Sequence, residues 1–186
     1  MTSGKSAVIE KAEPAKQSSI SPADPCTIVI FGASGDLSRR KLVPALYGLA
    51  AQNCLARRFA IIGFSRTPMT DEAFQKSAVD SVKKFADANT LRDEECKEFA
   101  NALAYVAGEY HHPEAFEKLK KRLEELDQEH NLNGNRLFYL ATPPDIYPII
   151  IEQLDKAGLA KHPNGKSWTR SSSRSRMAAI WPRRGN

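Results

Sequence analysis

The part of this sequence best suited to chemistry is a glycine turn between an apolar run and an amphipathic segment. The run covers residues 27–31, and the turn lies between Gly32 and Gly35. Leucines follow at spacings that suit one helix face, at Leu37, Leu42, Leu46 and Leu49. Strand, glycine turn and helix, in that order, present backbone N–H groups and a positive dipole end to a phosphate. The stretch therefore predicts a phosphate site where glycines let the ligand approach the backbone.

The glycine spacing by itself leaves an alternative open. It reads G-x-x-G, which is shorter than the G-x-G-x-x-G fingerprint of dinucleotide-binding folds. A turn of this length also occurs where glycines only allow a strand and a helix to pack closely. The choice between these interpretations depends on the neighbouring elements.

The end of the second apolar run favours a phosphorylated dinucleotide. Residues 59–64 predict a second buried strand, which ends at Ser65, Arg66 and Thr67. In dinucleotide folds this strand end lies beside the adenosine ribose, where an acidic residue would bind the 2′-hydroxyl of NAD. No acidic residue is present here, and the Arg66 guanidinium suits a 2′-phosphate. The pattern predicts NADP as the coenzyme, whereas in isolation Arg66 would be read as a solvated surface arginine.

The remaining periodicity predicts alternating strands and helices. Two further strands are expected over residues 105–110 and 136–141. A helix beginning at Thr70 should bury one face, formed by Phe74, Val79, Val82 and Phe85. Further helices are expected over residues 91–103, from Pro113 with a stripe of Phe116, Leu119, Leu123 and Leu126, and over residues 146–159. The alternation predicts an α/β fold with a Rossmann-like, doubly wound, mostly parallel sheet.

Composition indicates a soluble globular protein. The chain has 186 residues, 41% hydrophobic and 26% charged, and no apolar run long enough to span a membrane. Residues 1–24 are polar and lack the apolar core of a secretory signal, so we expect a disordered lead-in. Three scattered cysteines, Cys26, Cys54 and Cys96, predict neither a metal site nor disulfides. A reducing cytoplasmic location is the expectation.

The excess positive charge is concentrated at the carboxyl end of the chain. Of the formal net charge of +5, residues 171–186 contribute +4 through Arg174, Arg176, Arg183 and Arg184. A nucleic-acid-binding protein using this tail is one alternative, in which removing residues 171–186 would abolish salt-dependent binding. The remaining chain is almost neutral, so we expect no nucleic-acid partner and no membrane partner.

Four blocks in order resemble the glucose-6-phosphate dehydrogenase family. They are Gly-Ala-Ser-Gly-Asp-Leu-Ser-Arg-Arg-Lys-Leu from Gly32, Gly-Phe-Ser-Arg from Gly63, the segment from Tyr105 through His-His-Pro-Glu-Ala-Phe, and Leu-Phe-Tyr-Leu-Ala-Thr-Pro-Pro from Leu137. The resemblance covers residues 25–170 and implies an NADP-binding domain. It also implies NADP-dependent oxidation of glucose 6-phosphate at C1 to 6-phosphogluconolactone, the entry step of the pentose phosphate pathway.

The resemblance implies which positions bind the coenzyme. The pyrophosphate would lie on Gly32, Ala33, Ser34, Gly35, Asp36, Leu37, Ser38 and Arg39. Arg66 would hold the 2′-phosphate, Glu109 and Tyr110 would lie near the adenosine, and Tyr147 near the nicotinamide. For Gly32, Gly35 and Arg66 the residue chemistry above points the same way independently.

The resemblance ends after Trp168-Thr169-Arg170. The family continues with Ile-Ile-x-Glu-Lys-Pro, whose lysine contacts coenzyme and sugar phosphate, whereas residues 171–186 have neither helical nor strand periodicity. With a suitable choice of codons and one added base, this tail reads Ile-Ile-Ile-Glu-Lys-Pro-Asn-Gly-Arg-Asp-Leu. We therefore predict that residues 171–186 are an out-of-frame tail, and that the chain stops before the substrate-binding α+β domain.

No catalytic residue is predicted in this chain. The family's base is a histidine paired with an aspartate far downstream, and His111, His112, His130 and His162 match no part of that motif. Glucose 6-phosphate would be a partner only with the missing part restored, and full-length family members are expected to be homo-oligomers. An inactive coenzyme-domain fragment is the preferred interpretation, with a stand-alone NADP-binding module as the alternative.

Overall fold

The computed structural model describes residues 23–160 and 167–173 as alternating strands and helices. The strands are β1 (Cys26–Phe31), β2 (Phe59–Ser65), β3 (Leu103–Ala107), β4 (Arg136–Leu140) and β5 (Thr169–Ser173). The helices are α1 (Val43–Ala51), α2 (Asp71–Phe85), α3 (Asp93–Asn101), α4 (Pro113–His130) and α5 (Tyr147–Lys156). A π-helical turn, Ser38–Leu42, leads into α1, and short 3₁₀ turns span Ala88–Thr90 and Pro144–Ile146.

The five strands form one parallel sheet in the order β3-β2-β1-β4-β5. Successive residues of β1 and β2 point to opposite faces, and both faces are buried, which explains the continuous apolar runs. The helices α4 and α5 cover the face that carries Phe31 and Phe64. The helices α1, α2 and α3 cover the face that carries Ile30 and Ile61. The predicted Rossmann-like, doubly wound architecture is confirmed.

Strands are added on one side of β1 first and on its other side afterwards, and this switch in strand order places a cleft at one sheet edge. The chain builds outward from β1 through β2 to β3, then returns to the other side of β1 for β4 and β5. Helices therefore lie on opposite faces on the two sides of β1. In open parallel sheets, ligands bind beyond the carboxyl ends of the strands at such a switch point.

The helix after the glycine turn buries a different face from the predicted one. Val43 and Tyr47 are buried, Leu42 and Leu46 only flank them, and Leu49 is 42% exposed. The buried face is therefore centred one position later than the leucine pattern indicated. Tyr47 can be buried because its hydroxyl donates to the Thr90 carbonyl and accepts from the Arg92 amide, at 2.9 and 3.0 Å.

The boundaries around β3 also differ from the prediction. Leu103 was expected to end a helix, but α3 ends at Asn101 and Leu103 begins β3, because the Ile61 amide pairs with the Ala102 carbonyl. The strand stops at Ala107 instead of continuing to residue 110. The last hydrogen bond between β2 and β3 runs from the Gly108 amide to the Ser65 carbonyl. Gly108 itself lies so close to α4 that a Cβ at this position would clash with Ala115.

Two smaller predictions are also corrected. In α2, Phe74, Ala78, Ser81 and Val82 form the buried face, while Phe85 at its end is 37% exposed. Residues 171–173 were expected to lack strand structure, yet they continue β5 and pair with Phe138, Tyr139 and Leu140. The pairing is made by backbone groups, and no side-chain periodicity in residues 171–173 predicts it.

Candidate functional site

The parallel strands bring the predicted coenzyme residues to one edge of the sheet. The glycine turn follows β1, Arg66 follows β2, Glu109 and Tyr110 follow β3, and Tyr147 lies shortly after β4. Because all of these strands point the same way, their carboxyl ends lie side by side. The structure thus brings together segments that are far apart in the sequence.

The glycine turn is fixed mainly by its own backbone. Gly32 has φ of +84°, and a Cβ there would lie 3.1 Å from the Ala141 carbonyl oxygen at the end of β4. The amides of Gly32 and Ala33 both donate to the Phe64 carbonyl of β2, at 2.8 and 3.3 Å. These two N–H groups are therefore already used to seat the turn against β2. Gly32 serves the close packing that was the alternative interpretation of the turn.

The donors that remain for an anion are at the start of the helix. Helical structure begins at Asp36 and continues through the π-helical turn Ser38–Leu42 into α1. The amides of Asp36, Leu37 and Ser38 belong to the first turn of this helical stretch and have no acceptor within it. The side chain of Ser38 is buried and donates to the Gly32 carbonyl at 3.0 Å, so it shapes the turn. Asp36 forms an exposed ion pair with Arg40 at 2.8 Å. First-turn amides and the helix dipole make this end a place where a phosphate can bind.

Side chains divide the predicted pyrophosphate residues into two groups. The Ala33 side chain is buried in the core under the turn, as is that of Ser38. Ser34 is half-buried at the edge, whereas Gly35, Asp36 and Arg39 are exposed there. In the second group, Ser34, Asp36 and Arg39 can reach a ligand through their side chains, whereas Gly35 offers only its backbone.

The loop after β2 carries a connected set of hydroxyl groups beside Arg66. Ser65 is buried, and its Oγ donates to Ser34 Oγ at 2.9 Å. Ser34 Oγ in turn lies 3.1 Å from Thr67 Oγ1. These contacts tie the β2–α2 loop to the glycine turn, and the exposed Arg66 lies between Ser65 and Thr67 in the chain. Thr67 was missed as a site residue because only folding brings it to Ser34.

A cavity of about 230 Å³ opens between the glycine turn and α2. Its lining includes Ser34, Arg39 and Thr67, together with Met69 and Ser77. A larger cavity of about 650 Å³ lies at the opposite, amino edge of the sheet, beside Phe59. We associate coenzyme chemistry with the smaller cavity, because only its lining includes the glycine turn and the β2–α2 loop.

Tyr110 and Tyr147 are anchored in the core below the edge. The Tyr110 ring is buried against Phe64 and Phe31, with centroid separations of 5.8 and 6.4 Å. Burial raises the pKa of its phenol, and the positive charge of Arg66 opposes that shift. The Tyr147 hydroxyl donates to the Leu140 carbonyl at 3.3 Å. Glu109, in contrast, is exposed.

The three histidines that the structure describes, His111, His112 and His130, lie at the two ends of α4. His111 and His112 are exposed in the turn before α4, and His130 lies at the other end of that helix. The prediction for His162 lies outside the described residues. Within residues 23–160 and 167–173, no three histidine, cysteine or acidic side chains are placed to hold a metal ion. In the same residues, no helix combines the length and apolarity needed to cross a membrane.

The edge fits an anionic dinucleotide in its donor chemistry. It offers free first-turn amides, the guanidinium groups of Arg39 and Arg66, and hydroxyls from Ser34 and Thr67. The β2–α2 loop from Ser65 to Thr70 contains no acidic side chain that would repel a phosphate. Phosphate oxygens accept hydrogen bonds from neutral amides and hydroxyls and, more strongly, from charged guanidinium groups.

Comparison with known proteins identifies the family. Residues 29–171 match the family described as "Glucose-6-phosphate dehydrogenase, NAD binding domain". Glucose-6-phosphate 1-dehydrogenase 2 of Mycobacterium bovis is 38% identical over 148 residues, 80% of this chain and 28% of the relative. Glucose-6-phosphate 1-dehydrogenase of Cyberlindnera jadinii is 39% identical over 134 residues, 72% of this chain and 26% of the relative.

Solved structures agree with this comparison. A glucose-6-phosphate dehydrogenase in complex with its substrate glucose-6-phosphate matches with a TM-score of 0.69 and 32% identity, over 80% of this chain and 30% of the other. The Mycobacterium avium enzyme matches with a TM-score of 0.65 and 26% identity, over 80% and 29%. The chain spans less than a third of the length of these relatives. It belongs to the glucose-6-phosphate dehydrogenase family, of which it carries the amino-terminal nucleotide-binding domain.

Proposed function

We propose that this chain is the NADP-binding part of a dehydrogenase that oxidises glucose 6-phosphate at C1 to 6-phosphogluconolactone in the pentose phosphate pathway. The observation that carries the NADP preference is the end of β2. There the exposed Arg66 lies in the chain between Ser65 and Thr67, whose hydroxyls both contact Ser34 of the glycine turn. An acidic residue, the usual partner of the NAD ribose, is missing from that strand end.

Different residues along the sheet edge would bind different parts of the coenzyme. The amides of Asp36, Leu37 and Ser38 would hold the pyrophosphate, and Arg66 would pair with the 2′-phosphate. Glu109 and Tyr110 would lie near the adenosine, and Tyr147 near the nicotinamide. When bound, the nicotinamide supplies a hydride acceptor for C1 of the sugar. The C1 hydroxyl proton needs a base within hydrogen-bond reach, and we assign none in this chain.

A binding measurement tests the coenzyme assignment. We expect isothermal titration of the 186-residue chain to give a lower dissociation constant for NADP than for NAD. Arg66→Ala should raise the NADP constant at least about tenfold, because hydrogen bonds to charged groups are worth about 1.5–3 kcal/mol. NAD binding should be almost unchanged. Arg57→Ala, which removes an exposed arginine at the opposite sheet edge, is the matched control. Equal binding of NAD and NADP by the unaltered chain would overturn the NADP assignment.

An activity measurement separates the fragment interpretation from the whole enzyme. We expect no formation of reduced nicotinamide when the chain is mixed with NADP and glucose 6-phosphate. We expect a cytoplasmic location for this chain. Binding of glucose 6-phosphate and homo-oligomer formation are expected only for full-length members of the family. Measurable turnover by the purified chain would show that it holds a base that our assignment misses.

A further inference from the structure

Among the described residues, the strand β5 is paired on one side only. Its inner side pairs with β4, whereas β3 lies at the opposite end of the sheet. On the outer side of β3, the Asp71 carboxylate accepts from the Tyr105 amide at 2.7 Å. Gln75 donates to the Leu103 carbonyl there at 2.9 Å. In the part of the chain that the structure describes, no side chain closes the outer side of β5 in this way.

The register of β4 and β5 fixes which backbone groups of β5 face outward. The Arg136 amide donates to the Trp168 carbonyl at 2.9 Å, and Arg136 lies opposite Thr169. In a parallel ladder with this register, the next bonds to β4 are made by the backbone groups of Arg170 and Ser172. The N–H and C=O groups of the three alternate residues therefore face away from β4, and these residues are Thr169, Ser171 and Ser173.

Two copies of β5 can pair in antiparallel directions about a two-fold axis at Ser171. All of the outward-facing residues then have partners, because Ser171 lies opposite Ser171 of the second copy and Thr169 lies opposite Ser173. Arg170 lies opposite Ser172 in a non-hydrogen-bonded pair, the kind in which side chains are closest. The arginines of the two copies are consequently not opposite each other, so the strand can meet its own copy without like-charge repulsion.

The side chains of β5 are compatible with this pairing. Arg170 and Ser172 lie on the same face of the strand, and both are exposed. The Arg170 guanidinium carbon lies 4.7 Å from the centre of the Trp168 ring, so this side chain stays over its own chain. Between Thr169 and Ser173 the sequence has no lysine or proline that would protect the strand from pairing. It also has no aliphatic or aromatic side chain that would select a different protein as the partner.

We propose that β5 is an interaction surface for a second copy of this chain, and that antiparallel pairing of the two β5 strands joins two five-stranded sheets into one. The interface is isologous, since the same residues of each copy contribute to it. Strands on the two sides of the axis run in opposite directions, so the coenzyme edges of the two copies lie on opposite sides of the joint sheet. Pairing therefore leaves both coenzyme edges open, and this inference does not depend on the proposed NADP site.

The charge at position 172 tests the register of the pairing. Ser172→Arg places a guanidinium opposite Arg170 of the second copy, whereas Ser172→Glu places a carboxylate there. Both changes are made at the same exposed position, so each variant is the matched control for the other. Each dimer contains two such cross-strand pairs. We therefore expect the dimer dissociation constant to rise about tenfold in Ser172→Arg and to fall by about the same factor in Ser172→Glu.

Two further variants distinguish this pairing from contacts made elsewhere on the surface. Arg170→Glu combined with Ser172→Arg exchanges the two charges, so the double variant should regain the dimer that Ser172→Arg alone loses. Ser171→Pro removes an outward-facing N–H at the two-fold axis and leaves the hydrogen bonds to β4, which use the neighbouring residues. We expect Ser171→Pro to be monomeric, with the far-ultraviolet circular dichroism of the wild-type chain.

Sedimentation equilibrium of the 186-residue chain at increasing concentration gives the dissociation constants directly. We expect the wild-type molar mass to approach twice that of one chain. A wild-type chain that stays monomeric overturns the proposal, as does a dimer of equal stability in Ser172→Arg and Ser172→Glu. If Ser171→Pro does not fold, this comparison of the two charges decides. Equal binding of NAD and NADP would overturn the proposed function without changing any of these results.

Discussion

At the scale of single residues, the site depends on backbone conformations and hydrogen bonds that few side chains can replace. Gly32 combines a positive φ with close approach to Ala141. Ser65 is buried, and its hydroxyl donates a hydrogen bond to Ser34, which links the β2–α2 loop to the glycine turn. Each of these residues acts through its neighbours in space, and its type in the sequence is compatible with several other roles.

Gly32→Ala should destabilise the fold and remove coenzyme binding. The left-handed backbone costs a side-chain-bearing residue about 1–3 kcal/mol, and the added Cβ would press on the end of β4 at 3.1 Å. We expect the free energy of unfolding in urea to fall by about 2 kcal/mol. Gly48→Ala in α1 is the control, since a Cβ there meets no atom within 4 Å and should stabilise the helix. Equal stability of the two variants would contradict the prediction.

Asp127 should make a pH-dependent contribution that weakens stability as pH rises. Burial raises the pKa of its carboxyl above the ordinary 3.8, although Arg136 at 3.4 Å opposes the shift. The folded state then binds the proton more tightly than the unfolded state, so stability falls as pH increases through the folded pKa. We expect the unfolding free energy of wild type relative to Asp127→Asn to decrease from pH 3.8 upward. A difference that increases over that range would show that the Arg136 ion pair dominates.

At the scale of secondary-structure elements, the exposed edge of the sheet is closed by side chains from two helices. Asp71 at the start of α2 accepts from the Tyr105 amide at 2.7 Å, and Gln75 donates to the Leu103 carbonyl at 2.9 Å. Arg122 of α4 pairs with Asp71 at 2.8 Å. Polar groups on the outer side of β3 are thereby satisfied, which blocks pairing with another strand.

Asp71→Ala should both destabilise the chain and promote its association. The Tyr105 amide and the Arg122 guanidinium would each lose an acceptor, at a cost of about 1–3 kcal/mol. Urea unfolding measures the loss, and light scattering during size-exclusion chromatography measures association through the open edge. Glu72→Ala is the control, because Glu72 lies in the same helical turn but is exposed. A monomeric Asp71→Ala chain of unchanged stability would show that the edge needs no such protection.

At the scale of the whole molecule, the outermost strand on one side of the described sheet, β5, has side chains that are unusual for a strand of a parallel sheet. β5 pairs Ser171 and Ser172 with Phe138 and Tyr139, although strands of parallel sheets are usually rich in Val, Ile and Leu. The restored reading frame would place isoleucines at these positions. The strand pairing is therefore compatible with the predicted out-of-frame tail, which stays a prediction.

Reading the coding DNA across residues 169–175 tests the out-of-frame tail. We expect that adding one base after the codon for Arg170 restores an open frame that encodes Ile-Ile-Ile-Glu-Lys-Pro. The measurement is sequencing of independent clones through this region and beyond it. An open frame that continues only in the present reading would show that residues 171–186 are native.

The sequence by itself determined most of the architecture. The apolar runs of β1 and β2, the cap at Thr70, the proline that opens α4 and its stripe of Phe116, Leu119, Leu123 and Leu126 all lie where predicted. These features depend on local periodicity and capping, which are written in neighbouring residues. The family resemblance rested on four short sequence blocks and is confirmed.

Only the tertiary structure decided which residues of the site act together. Strand pairing set the ends of β3, and the close approach of β1 and β2 used the Gly32 and Ala33 amides that the turn alone left free. Thr67 and Tyr105 entered the site because the fold carries them to Ser34 and Ser65 from loops and strands tens of residues away. Hydrogen bonds between distant segments leave no periodic signal in the sequence, since each partner is defined only once the sheet has formed.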